Sequence, residues 1–69
     1  MSAAERELLE AVVEALTLPF DVADYDQRIA DRASIARVVV REALAEDPAR
    51  MGWNADWLRQ RLRDEEAGR

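Results

Sequence analysis

Apolar residues recur at helical spacing in three stretches of this chain, and proline, glycine and acidic residues punctuate the gaps between them. No stretch alternates as a strand does. In the first, Leu8, Leu9, Val12, Val13 and Leu16 follow a one-and-four rhythm that sets them on one stripe, with Glu7, Glu10 and Glu14 on the opposite, solvated side. Ser2 stands three residues before Glu5, the spacing at which the two side chains satisfy each other's free backbone amides in a capping box. A helix is predicted from about residue 3 to about residue 17. Pro19 ends it by disfavouring helical geometry at Leu18, and Leu18 and Phe20 are expected to fold back over the end of the core.

The second stretch is longer. At about 100° per residue, Tyr25, Ile29, Ala33, Ala36, Val39, Val40, Ala43 and Leu44 fall on one stripe, which predicts a single unbroken helix over about 24–46. Asp21, Asp24 and Asp26 offer carboxylates to cap its start, and Glu46-Asp47-Pro48 stops it. Ile35 and Val38 lie off the stripe, on a narrower line with Asp31 and Glu42, and would be exposed on a lone chain. A tight connection follows, with Asp47 and Pro48 suited to open a short turn. Asn54 is the expected cap of a third helix over about 54–66, and Trp53 and Leu58 have the spacing of a hydrophobic staple. Leu58 and Leu62 make its core stripe, Trp57 sits on the flank, and Gly68 offers a stop. The expected fold class is all-α: one domain over 1–69, a small three-helix bundle with a long central helix.

Composition narrows what such a bundle can do. Apolar residues make up 49% of the 69, but thirteen are alanine, which favours helix while burying little area. Only sixteen are Leu, Ile, Val or Phe, so the core is small, and self-association or a partner is the expected supplement. The net charge is −5, and all ten bases are arginine. Residues 1–26 carry seven acids and one arginine, whereas 49–69 carry five arginines and four acids, which favours the first and third helices as neighbours. Net acidity argues against nucleic-acid and anionic-membrane partners. Cysteine and histidine are absent, which removes thiolate and imidazole metal sites, disulfides and the common nucleophilic triads.

The remaining acidic groups have ordinary readings. Asp21, Asp24 and Asp26 lack the alternation, turn glycine and closing glutamate of a calcium loop, and Glu7, Glu10 and Glu14 lack a matching acid or apolar pocket. The expectation is therefore a non-enzymatic chain without metal, cofactor or small-molecule ligand. No apolar run approaches the roughly 20 residues of a membrane span, and the first residues lack the basic start of a secretion signal, so a cytoplasmic chain is expected. Arginine without lysine, together with abundant alanine, suggests a GC-rich genome.

Two resemblances bear on function. Residues 29–44 include Val40-Arg41-Glu42-Ala43-Leu44, a string that resembles the reading helix of GntR-type bacterial regulators. That resemblance implies a helix-turn-helix with Ala30, Ala33, Ile35 and Val40 packing, Ser34 at the turn, and Arg37 and Arg41 contacting DNA. It departs from the pattern at Ser34, where glycine is usual, and no strand pair for a wing follows. More broadly, the leading Leu8–Leu16 pattern, the central Asp31-Arg32-Ala33 and the closing Ala55–Leu62 segment resemble small uncharacterised helical proteins of high-GC Gram-positive bacteria and their phages. This second resemblance implies no particular site. Read from the residues, the expected function is a helical protein-interaction module that pairs with itself as a homodimer or with a protein partner. Its contact residues are Ile35, Val38, Trp57 and Arg61, because an aromatic beside an arginine is the composition of binding hot spots. The alternative is a small DNA-binding regulator using Arg37 and Arg41.

Overall fold

The structure, a computed structural model, describes residues 1–46 and 51–68. It forms a three-helix bundle: α1 over Ala3–Leu16, α2 over Tyr25–Ala45 and α3 over Met51–Ala67, with no strand among the described residues. The molecule measures 37 × 18 × 18 Å, its length set by the 21 residues of α2 at about 1.5 Å each. Among the described residues no helix is long and apolar enough to cross a membrane.

Helix α1 starts as its sequence predicts. Ser2 Oγ accepts from the Glu5 amide at 3.1 Å, and the Ser2 amide donates to Glu5 Oε1 at 3.3 Å. Its stripe, however, is turned. Leu8, Ala11 and Ala15 are buried, whereas Leu9, Val13 and Leu16 remain about half exposed or more. Alanine lets α1 and α3 approach closely around Ala11, Ala15 and Ala55, all at 0% exposure, and these two helices form the most extensive pair in the bundle. The larger apolar residues of α1 are left on its outer side. Phe20 does not fold over the core; it is exposed, with its ring 5.1 Å from that of Tyr25.

Helix α2 runs unbroken through Ser34, so the turn placed there by the local regulator resemblance is absent. Its inner line is Arg28, Arg32, Ala36, Val39 and Ala43, rotated from the apolar stripe read in the sequence. Ala33 and Leu44 face out, and Ile35 packs partly buried against the core instead of standing exposed. No aspartate carboxylate caps this helix. Asp24 occupies the N-cap position in the left-handed region (φ 58°) and makes no side-chain cap bond.

Helix α3 begins at Met51, which puts Trp53 and Asn54 inside it and removes both the expected cap and the expected staple. Asn54 is instead buried at 3% exposure, and its Nδ2 has no hydrogen-bond partner among the described residues. The expected turn around Asp47 and Pro48 lies outside the described residues. Leu58 is fully buried and Leu62 packs partly against the core, as their spacing implies.

Candidate functional site

The interior holds few large side chains. Of the eight buried apolar residues among those described, five are alanine, with Leu8, Val39 and Leu58 supplying the bulk. Meanwhile Leu9, Val13, Leu16, Phe20, Val38, Leu44, Trp53 and Trp57 all present substantial surface to solvent. A single exposed apolar side chain is ordinary, but clusters of them mark surfaces that another molecule covers.

One cluster lies between α1 and α2. The bundle leaves a shallow groove of ≈ 150 Å³ there, walled by Leu8 and Leu9 on one side and Val40, Ala43 and Leu44 on the other, and closed by Glu5 and Met51 at one end. Small-molecule pockets run to about 300–1,000 Å³, so this groove takes a side chain or two and not a metabolite. Leu44 stands on its lip at 77% exposure. Val13 continues the apolar line along the outer face of α1, where Arg6 and Glu10 pair at 3.0 Å. On α2, Arg37 and Arg41 are exposed and form no ion pair with the described residues.

The residues singled out from the sequence lie on the other side, between α2 and α3. Arg61 sits with its guanidinium 5.9 Å from the Trp57 ring centre, within cation–π range. Trp57 is 41% exposed and Val38 45%. Ile35 and Arg61 line one open depression of ≈ 490 Å³ together with Asp31, Ser34, Asp64 and Glu65. Val38 lines a separate one with Arg41 and Glu42. Three of the four expected contact residues are therefore accessible on this flank, and Ile35 forms part of its base.

Charge holds the helices in register through two clusters. Arg59 of α3 reaches across to α1, where it donates to Glu7 and to Glu14 at 3.3 Å, so these glutamates bridge to a neighbouring helix while about half of each side chain stays in solvent. The Glu7 and Glu14 hydrogen bonds outweigh the cost of burial and hold the Arg59 pKa above its ordinary value. At the other end Arg28 and Arg32, one helical turn apart and nearly buried, clasp Glu65 and Glu66 of α3 at 2.8–3.3 Å. Burial disfavours the charge on Arg28, but the bonds from Glu65 and Glu66 outweigh it and its pKa rises. Burial likewise pushes Glu65 toward protonation; the Arg28 hydrogen bond and the Arg32 charge reverse this and hold its pKa below 4.5.

Apolar periodicity hid this second cluster, because two arginines stand where the pattern looks for leucine. Their i, i+4 spacing in line with Ala36 and Val39 was the available signal. Among the described residues no group of His, Cys, Asp and Glu is placed to hold a metal ion. No protein-family model matches the chain, and no curated protein and no solved structure matches it either.

Proposed function

We propose that this chain acts by binding protein, as a helical interaction module without catalytic chemistry of its own. The observation that supports this reading is the inversion of side-chain size: the interior is mostly alanine, while leucine, valine and tryptophan line the outside. Covering such residues removes apolar surface from water at about 25 cal/mol per Å², a gain the isolated bundle leaves unused. Two surfaces are on offer. One is the α1–α2 groove with Leu9 and Leu44; the other is the α2–α3 flank with Val38, Trp57 and Arg61 over Ile35.

The test is capture by the immobilised chain, with a second copy of the chain counted among the possible partners. Wild type should retain a protein that Leu44→Asp or Trp57→Ala loses, each variant keeping its helical circular dichroism. Retention of nothing beyond a resin control, together with a single-chain mass at every concentration, overturns the reading. A duplex-DNA role for Arg37 and Arg41 has less support, since α2 is continuous and the net charge is −5. Tight, steeply salt-dependent binding to random duplex would favour it instead.

A further inference from the structure

We infer that the α1–α2 seam seats an amphipathic helix of a partner protein, whose acidic edge pairs with Arg37 and Arg41. This rests on the interaction-module reading and names the chemistry of its partner. In a chain of net charge −5, residues 33–41 contain no acid, and Arg37 and Arg41 stand exposed among them without an ion pair to any described residue. Every other described arginine is engaged: Arg6, Arg28, Arg32 and Arg59 with glutamates, Arg61 over the Trp57 ring, and Arg63 with Gln60.

Helical geometry sets the two free cations beside the groove. Leu44, on its lip, lies two turns beyond Arg37 and about 20° from it around the unbroken α2. Arg41 lies about 60° from Leu44 on the side away from α1, between Leu44 and Val38. The acids nearest the groove on α1 are compensated, Glu5 by its capping box and Glu10 by Arg6. The charge left over along this seam is therefore positive, and it runs next to an apolar channel walled by Leu9, Val40 and Leu44. A helix with leucine-like side chains on one face and carboxylates along one edge matches both features at once. A nucleic acid would supply the negative charge but no side chain for the apolar channel. A second copy of this chain fits poorly as well, because the glutamates of its own acidic helix, α1, are already bonded to Ser2, Arg6 and Arg59.

Titration of the whole chain into fluorescently labelled peptides tests this by anisotropy. The probes are two amphipathic peptides of about five helical turns with the same leucine face, one edged with glutamate and the other with lysine. At about 0.15 M salt, where exposed charges act over only about 8 Å, the glutamate peptide should bind roughly tenfold more tightly, although the net charge of the whole chain favours lysine. Arg37→Glu combined with Arg41→Glu should reverse that preference with the helical circular dichroism unchanged, and Leu44→Gln should weaken both peptides. A wild-type preference for the lysine peptide, binding of neither, or an unchanged preference in the double variant overturns the acidic-helix occupant. So does random duplex DNA that binds more tightly than the glutamate peptide through the same two arginines, or a mass of two chains under the same conditions. The module reading stands through any of these results if the capture experiment still retains a protein that Trp57→Ala loses, which separates the two failures.

Discussion

Leu58 and Glu65 mark the two ways single residues hold this bundle. Leu58 is one of two large side chains that are essentially fully buried among the described residues, and the alanines around it have no side-chain length with which to fill a vacancy. Leu58→Ala should therefore cost about 2–5 kcal/mol, read as a lower urea midpoint. Glu65 acts through charge. Its pKa is lowered in the folded state, so its contribution is complete above the unfolded value near 4.5 and is lost as pH falls through the lower folded value. Acid titration of wild type should show stability declining below about pH 4.5, and Glu65→Gln should flatten that decline. An unchanged acid limb would show that the clasp carries none of the pH dependence. Neither arginine of the clasp is visible to a search for apolar periodicity, because an inward line is expected to be apolar. Their stems can lie along the core while their heads are neutralised by α3, and that neutralisation exists only once α3 is in place.

At the scale of elements, α1 shows how much local sequence can specify. Its start is written in four residues, since the reciprocal Ser2 and Glu5 bonds need no other part of the molecule. Ser2→Ala should cost about 1 kcal/mol, measured by thermal unfolding. The Ser2 bonds also hold the Glu5 carboxyl below its ordinary range, so the effect of that substitution should shrink in acid. The ends of α3 follow a different rule. Asn54 has the identity and position of a cap, but the helix extends three residues further back to Met51, and the amide side chain becomes buried with Nδ2 unpaired among the described residues. Propensity at one residue yielded there to packing along the whole helix.

For the molecule as a whole, the deciding quantity is which helix pair approaches closest. Alanine at positions 11, 15 and 55 draws α1 against α3, with Arg59 bridging to α1's glutamates, and this turns the larger apolar residues of α1 toward α2 and solvent. Because Leu44 is exposed, Leu44→Gln should change the stability of the dissociated chain by no more than about 0.5 kcal/mol, measured by urea unfolding at dilute concentration, in contrast to the large cost at Leu58. A large loss in dilute solution would mean that Leu44 belongs to the core of the single chain.

Helix number, approximate bounds, the unbroken course of residues 25–45 and the capping box were legible in the sequence, because each depends on interactions within about one helical turn. Rotation of the helices about their own axes was not. Apolar residues cover a wide arc of both α1 and α2, and many rotations would bury some of them equally well. The choice fell to the close alanine contact between α1 and α3 and to ion pairs joining residues more than thirty positions apart. That rotation also decides the candidate site: it leaves Leu9 and Leu44 beside a groove instead of within the core, and it draws Ile35 inward.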